Sequence, residues 1–423
     1  MIWLVFSLLG GLCLAGVPVA FSIGIAAIGG IMVRNVPLTV VDQRMFTQID
    51  SFAMLAIPFF ILAGNLMDRG GISEKIVQFA TDVVGHIRGG LAMVSVIASM
   101  FFGAISGSAQ ATSAAIGSIL IPAMEKHGYD KPFAAALTAT SGPLGVIIPP
   151  SIPMVIFAAA ANVSIGKLFL GGYLPGLFIG LGLMLVCYFY ALRNNYATDP
   201  RVSLLRVLKS FLDSAWALLM VVIIMGGILG GYFTATEASV VAVVYAVFVG
   251  RFIYRKLVFA DVPDILYRSA MVTATVMFCV AATNILGWIM TREQIPRLIS
   301  GAMLSVTGNK YLILLFINFL LLILGMILDA TPAIILTVPI LLSVVTNLGV
   351  DPIHFGLIVV ANLAIGMSTP PVGITLFVSS GISGVPISRM IRPLIPFWIV
   401  MTIFLMVLTY VPALTMFLPG LVN

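Results

Sequence analysis

Long apolar segments run from one end of the chain to the other, separated by short polar stretches. A membrane-spanning helix needs about 20 mostly apolar residues, so the pattern predicts roughly ten or more crossings. Two segments are interrupted where an unbroken helix is expected: GPLGVIIPPS at 142–151 and GMSTPPVG at 366–373. Because proline removes a backbone donor and clashes with the preceding turn, both segments must unwind locally.

The two breaks recur at a fixed distance along the chain. Pro371 follows Pro150 by 221 residues, and Pro352 follows Pro132 by 220. Matched Gly/Pro interruptions in the two halves of a membrane protein point to the binding site of a transporter. Unpaired carbonyls at membrane depth are tolerated where they line a cavity or bind something.

The repeated order of elements predicts an all-α polytopic membrane protein with two inverted-topology repeats. Each repeat contains scaffold helices, a short amphipathic stretch (71–85 or 292–303), a re-entrant hairpin and a broken helix. The expected boundaries are 1–192 for the first repeat (scaffold 1–68, hairpin about 90–125, broken helix about 132–160), 193–210 for a basic linker, and 211–423 for the second repeat (scaffold 214–290, hairpin about 311–346, broken helix about 353–380).

Composition excludes a soluble protein. Of 423 residues, 61% are hydrophobic and 9% charged, with a mean hydropathy of +1.18. The net charge of +6 does not indicate a nucleic-acid partner, because the basic residues are scattered singly. With the N-terminus outside, fifteen Lys and Arg residues fall on the inner side and six on the outer. This asymmetry follows the positive-inside rule and makes the linker cytoplasmic.

The first hairpin tip, GAISGSAQATS at 103–113, combines small residues with hydroxyls. Small residues also serve ordinary helix packing in membranes, so packing is the alternative. Opposite the first break, Ser106 and Ser108 offer hydroxyl oxygens, Gly145 permits unusual backbone angles and Pro150 frees upstream carbonyls. We interpret this set as a candidate Na⁺ site, because half-helix carbonyls coordinate Na⁺ in broken-helix transporters.

The second repeat offers a matching candidate site. Gly366, Ser368 and Thr369 lie in the second break, opposite a hairpin tip at 325–332. Asp329 in that tip is the only acidic residue in a long apolar run. An ionisable residue at membrane depth is functional by default. It could cap the following half-helix, ligate a cation or relay a proton.

Other polar residues carry simpler expectations. Glu237 is expected to cap the helix at 234–250. Interhelical hydrogen bonding is favoured over substrate contact for the amides of Asn162, Asn284 and Asn362. The histidines fall in predicted loops and are expected to be solvated: His86, His127 and His354.

Absent motifs exclude several classes of protein. There is no Walker motif, no zinc-protease His pair and no Gly-x-Ser-x-Gly elbow, and the three cysteines lack ligand spacing. The chain is therefore not expected to be an enzyme. A channel would need a continuous polar pore, whereas the polar residues cluster at two interrupted sites. Energy must come from an ion gradient or a partner subunit.

Four stretches resemble the large membrane subunit of TRAP (tripartite ATP-independent periplasmic) transporters. They are Phe102–Met124, Gly142–Pro153, Gly325–Pro339 and Gly366–Gly373. A fifth, Tyr232–Tyr245, departs from the family in having Ala235 where proline is usual. The resemblance covers essentially the whole chain.

The resemblance implies an elevator-type fold in the bacterial inner membrane, with a periplasmic N-terminus. It implies Na⁺-driven import of a small organic acid, such as a C4-dicarboxylate or sialic acid. The expected partners are a periplasmic substrate-binding protein and a small four-helix membrane subunit on a separate polypeptide. The alternative is a self-sufficient Na⁺/dicarboxylate symporter of the same superfamily, which would work without a binding protein.

Residues carried over by motif define two sites for Na⁺. The first would use Ser106, Ser108, Gly145, Ile148 and Pro150. The second would use Gly325, Gly366 and Thr369, with Asp329 nearby.

Overall fold

The computed structural model describes residues 2–422 except 195, 197–199, 296–297, 299–300 and 302–306. All regular structure in these residues is helical. The helices are α1 (Ile2–Leu14), α2 (Val19–Val33), α3 (Thr39–Ile49), α4 (Ala56–Arg69), α5 (Ile72–Val84), α6 (Gly90–Ser106), α7 (Ala109–Lys126), α8 (Lys131–Ser141), α9 (Leu144–Ile147), α10 (Ile152–Ala161), α11 (Ile165–Asn194), α12 (Leu204–Leu229), α13 (Ala235–Phe248), α14 (Val262–Arg292), α15 (Lys310–Ile327), α16 (Ala330–Asn347), α17 (Pro352–Gly366), α18 (Ile374–Ser383), α19 (Ile387–Tyr410) and α20 (Ala413–Gly420).

Eight helices among the described residues are long and apolar enough to cross a membrane. A ninth crossing results if Lys131–Ile147 and Ile152–Ala161, which meet at 43°, form one span. Several apolar helices are shorter than a full span, including α2, α6 and α17. The chain is a multi-pass membrane protein, and its short apolar helices account for the difference from the ten or more crossings that the pattern predicts.

Both predicted hairpins are present as helix pairs with two-residue connections. In the first, Gly107 ends α6 with a φ of 62°, which glycine adopts without strain, and the Ser108 hydroxyl caps α7 by accepting from the Ala111 amide at 3.4 Å. In the second, Leu328 and Asp329 connect α15 to α16. Their observed bounds, 90–126 and 310–347, lie within one residue of the predicted ones.

Both predicted breaks are also present. Residues 148–151 separate α9 from α10, and residues 367–373 separate α17 from α18. Each break contains a cis Pro-Pro peptide bond. The Ser151 hydroxyl donates to the Val146 carbonyl at 2.6 Å, and the Trp398 indole donates to the Ser368 carbonyl at 2.9 Å. Side chains thus satisfy part of the backbone that unwinding exposes, as an apolar environment requires.

Two apolar clusters divide most of the buried side chains. One contains α1, α2 and the C-terminal half of α14, with Ile23, Ile31 and Leu286 at its centre. The other is larger and contains the hairpins, the breaks and the helices around them, with Phe102, Phe157 and Phe355 fully buried. The fold class predicted from the sequence is confirmed as an all-helical membrane fold with a hairpin and a broken helix in each half.

Three expectations differ from the structure. Helix α12 begins at Leu204, so the predicted linker at 193–210 is helical in its second half because the Ser203 hydroxyl caps it. Helix α3 was not predicted, since polar residues interrupt its apolar ones and it forms no long apolar segment. The histidine prediction is wrong for His354, which is 3% exposed and lies within hydrogen-bond distance of the Thr415 hydroxyl at 2.7 Å. The predicted amphipathic stretch at 292–303 lies largely outside the described residues.

We expect Gly103→Ala to destabilise the protein. A Cβ at position 103 would lie 2.5 Å from the Gly145 Cα, so backbone must move. Overpacking of this kind costs about 1–3 kcal/mol and should lower the melting temperature in detergent. Gly226→Ala is the matched control, because nothing lies within 4 Å of its Cβ position. Equal melting of the two variants would show that hairpin and break do not pack as described.

Candidate functional site

The first hairpin tip packs directly on the first break. Gly103 in α6 faces Gly145 in α9 so closely that position 103 has no room for a side chain. The Ile152 amide donates to the Gly107 carbonyl at 3.3 Å, which joins the start of α10 to the tip. The sequence predicts that the tip lies opposite the break, and in the structure the two are in direct backbone contact.

Oxygen atoms converge at this contact. The Ser106 and Thr112 hydroxyls are 3.0 Å apart, and the Thr112 hydroxyl donates to the Ser108 carbonyl at 2.8 Å. A Cβ on Gly145 would lie 2.3 Å from the Thr112 hydroxyl and 2.8 Å from the Ser108 carbonyl. Ser106 and Thr112 are buried. Thr112 was not singled out from the sequence, although it lies within the tip motif and one turn from Ser108.

The two remaining residues of the first predicted set lie in the break itself. The Pro150 carbonyl is 3.0 Å from the Cβ position of Gly107, and so belongs to the same contact. The Ile148 side chain instead packs against Gly176 of α11. Any contribution of Ile148 to the oxygen cluster would therefore come from its backbone.

The second tip and break meet in the same way. A Cβ on Gly366 would lie 2.6 Å from the Gly325 Cα, and the Gly373 amide donates to the Met326 carbonyl at 3.0 Å. The Thr369 hydroxyl lies in the break and donates to the Ile365 carbonyl at 2.8 Å. Gly325, Gly366 and Thr369 are thus brought together at one point of the fold.

The contacts in the two halves correspond position by position. Ile152 and Gly373, whose amides make the bonds from break to tip, are 221 residues apart. Gly145 and Gly366, which make the close backbone contacts, are also 221 apart. The spacing found in the sequence is therefore a spacing of equivalent tertiary contacts.

Gln110 connects the two tips. Its amide nitrogen donates to the Asp329 carboxylate at 3.1 Å, and its amide oxygen accepts from the Ser108 hydroxyl at 3.2 Å. Asp329 occupies the N-cap position of α16, but its side chain makes no capping hydrogen bond. Of the three roles considered for Asp329, capping of the half-helix is therefore not observed, because the carboxylate is turned toward Gln110 in the other half of the molecule.

The remaining polar residues are structural. The Asn362 amide donates to the Asn318 side chain at 2.9 Å, and the Asn284 amide donates to the Arg44 carbonyl at 2.6 Å. These bonds confirm the interhelical role expected for both. Asn162 ends α10 with a φ of 54°. Thr234 and Glu237 form a capping box at the start of α13, as predicted.

The chemistry available at the two contacts is that of neutral oxygen ligands. The described residues contain no group of three or more His, Cys, Asp and Glu side chains that could hold a metal ion. Hydroxyl and carbonyl oxygens are suited to a hard cation, and the second contact has one carboxylate nearby. Long apolar helices around two interrupted helices are the arrangement of a membrane transporter.

The chain belongs to the DctM component family of the tripartite ATP-independent periplasmic transporters. Residues 6–414 match the family described as "Tripartite ATP-independent periplasmic transporter, DctM component". The match covers both hairpins, both breaks and nearly all the surrounding helices. The resemblance found in the sequence motifs is confirmed, as is the expectation of a transport protein rather than an enzyme.

Three relatives illustrate the family. The isethionate TRAP transporter permease protein of Oleidesulfovibrio alaskensis is 45% identical over 96% of this chain, which spans 64% of that longer protein. The C4-dicarboxylate large permease protein of Pseudomonas aeruginosa is 43% identical over 89% of this chain and 88% of its own. The sialic acid large permease protein of Vibrio cholerae is 39% identical over 96% of both.

One solved structure shares the fold at low sequence identity. The Alcanivorax borkumensis YdaH transporter, whose structure shows an unusual topology, superposes with a TM-score of 0.64 over 88% of each chain. The identity is 12%, so this likeness concerns the fold alone.

We expect Gln110 and Asp329 to be energetically coupled. Gln110→Ala should destabilise the protein by about 1–3 kcal/mol, because it leaves the buried Asp329 carboxyl without this hydrogen-bond partner. Asp329→Ala added to it should cost less than the sum of the single variants, by roughly 0.5–3 kcal/mol. The measurement is a double-mutant cycle on the melting temperature in detergent.

Gln78 provides the matched control for this cycle. Its amide donates to Asp82 over the same 3.1 Å, and both residues lie in α5, outside the two tips. Gln78→Ala and Asp329→Ala should be additive. Additive effects of Gln110→Ala and Asp329→Ala would contradict a bond between the tips.

Proposed function

We propose that the chain is the large membrane subunit of a Na⁺-coupled importer of a small organic acid. The observation that carries this proposal is the duplicated contact of hairpin tip and break, with buried neutral oxygens at each. Neutral hydroxyl and carbonyl oxygens do not cancel the charge of a bound cation, so such a site favours a hard cation with a single charge. The sequence contains no nucleotide-binding motif, so a Na⁺ gradient is the proposed source of energy.

The first Na⁺ site is proposed at the Ser106, Ser108 and Gly145 contact, with carbonyls of Ile148 and Pro150. Thr112 joins this set, because its hydroxyl lies 3.0 Å from that of Ser106. The second Na⁺ site is proposed at Gly325, Gly366 and Thr369. Half-helix C-terminal carbonyls favour cations, and both breaks follow such ends.

The substrate class rests on the relatives. The names of three relatives at 39–45% identity specify isethionate, C4-dicarboxylates and sialic acid, all small organic anions. We propose that this chain carries an anion of the same kind, delivered by a periplasmic binding protein. A small four-helix membrane subunit is proposed as the second membrane partner, on the same family relationship.

The transport movement is proposed to be of the elevator type. Both tips and both breaks are joined into one body by backbone contacts and by the bond between Gln110 and Asp329. The apolar cluster of α1, α2 and the C-terminal half of α14 meets this body at Leu336 and Ile340 of α16, and it would remain fixed in the membrane as scaffold. The proposed location is the bacterial inner membrane with a periplasmic N-terminus, as the distribution of basic residues favours.

We expect Na⁺ to raise the melting temperature of the purified chain in detergent, relative to K⁺ and choline at equal ionic strength. A ligand of the folded state stabilises by about 2.7 kcal/mol at 100 times its Kd. Ser106→Ala and Thr369→Ala should each reduce the Na⁺-specific rise, because each removes an oxygen from one proposed site.

Ser118→Ala is the control variant for this measurement. Its hydroxyl donates to the Ala115 carbonyl along α7, away from the tip, so its loss should leave the Na⁺ effect unchanged. Identical melting in the three salts would argue against Na⁺ sites at either contact.

A further inference from the structure

A cavity of about 490 Å³ lies where three helices meet, outside the two tip contacts. The start of α8 contributes Asp130, the end of α11 contributes Arg193, and the start of α19 contributes Arg389 and Arg392. Such a volume is within the range of small-ligand sites in proteins. By the predicted topology, this is the cytoplasmic end of all three helices.

Aromatic rings pack together beside the cavity. The rings of Phe133 in α8 and Tyr190 in α11 stack with centroids 3.9 Å apart. The Asn194 amide donates to the Tyr190 carbonyl at 2.9 Å. The Phe133 ring also lies 5.9 Å from the Phe397 ring of α19, so ring contacts that do not involve the charged groups join all three helices.

Three guanidinium groups face one carboxylate across the cavity. The three arginines are exposed, and none of them makes an ion pair with any residue that the structure describes. The carboxylate of Asp130 accepts from the Tyr196 hydroxyl at 3.2 Å. Burial raises the pKa of Tyr196 to about 12, so this hydroxyl remains a donor at neutral pH. The cavity consequently carries a surplus of positive charge.

The cavity adjoins an exposed apolar surface. On α19, Ile391, Ile395 and Ile399 are 39–54% exposed at four-residue intervals, and on α11, Leu185 and Phe189 are 59% and 64% exposed. Side chains of this kind on a membrane helix face lipid chains. The arginine cavity thus lies at the end of α11 and α19 from which these exposed apolar side chains continue into the membrane.

We propose that this cavity binds the phosphate headgroup of an anionic phospholipid, with its acyl chains along α11 and α19. Arg193, Arg389 and Arg392 supply charge-assisted hydrogen bonds to the phosphate, which arginine forms in bidentate geometry. Basic pockets between membrane helices on the cytoplasmic side are suited to such headgroups. A free anion would bind the same guanidinium groups but would make no contact with the exposed apolar side chains of α11 and α19.

The test is native mass spectrometry of the purified chain in detergent, titrated with dioleoyl-phosphatidylglycerol or dioleoyl-phosphatidylcholine. We expect the chain to retain the anionic phosphatidylglycerol in preference to the zwitterionic phosphatidylcholine. Arg389→Gln with Arg392→Gln should weaken binding about thirtyfold, since each basic residue near an anionic surface contributes about fivefold. Arg389→Lys with Arg392→Lys retains the charge and should recover part of the affinity.

Arg201→Gln with Lys209→Gln is the matched control, because it removes two exposed positive charges from the same predicted side of the membrane. It should bind phosphatidylglycerol as the unmodified chain does. Equal binding by the cavity variant and this control would overturn the proposal. Inorganic phosphate that displaced the lipid at equal concentration would overturn the lipid assignment in favour of a free anion.

Discussion

Each broken helix exposes backbone carbonyls and amides deep within an apolar molecule, and the rest of the fold is arranged around satisfying them. Each hairpin tip contributes directly, because the Gly107 carbonyl accepts from the Ile152 amide just after the first break and the Met326 carbonyl accepts from the Gly373 amide at the end of the second. Glycine at 103, 145, 325 and 366 makes the approach close enough. The same proximity gathers hydroxyl and carbonyl oxygens, so the requirement for backbone partners also creates the candidate ion sites.

The bond between Gln110 and Asp329 gives this arrangement a second consequence. The two residues are 219 residues apart, close to the repeat spacing, so the bond joins corresponding parts of the two halves. A polar bond in low dielectric is strong, and its loss leaves a carboxylate unpaired. Through Ser108 it reaches the first proposed Na⁺ site, and through Asp329 it lies beside the second. Occupancy of one proposed site can therefore influence the geometry of the other.

Much of the fold could be predicted from the sequence, because the deciding signals are local. Apolar length, paired Gly/Pro interruptions and their 221-residue spacing predicted the hairpins and breaks to within a few residues. The roles of Gln110, Thr112 and His354 could not be predicted in this way. Gln110 and His354 depend on partners from distant segments, and a polar residue beside Asp351 and Pro352 resembles a loop until α20 packs against it. Thr112 bonds within its own tip, but its position against Gly145 depends on how the break packs. Helix α3 is polar overall and so did not stand out in a search for long apolar segments.

The central claim is that two separate Na⁺ sites lie at the two contacts of tip and break. Equilibrium binding of radiolabelled sodium to the purified chain tests it without knowledge of the substrate. The account predicts two saturable sites per chain, of which Ser106→Ala removes or weakens one and Thr369→Ala the other. The absence of saturable binding, or saturable sites that both variants leave unchanged, would contradict it.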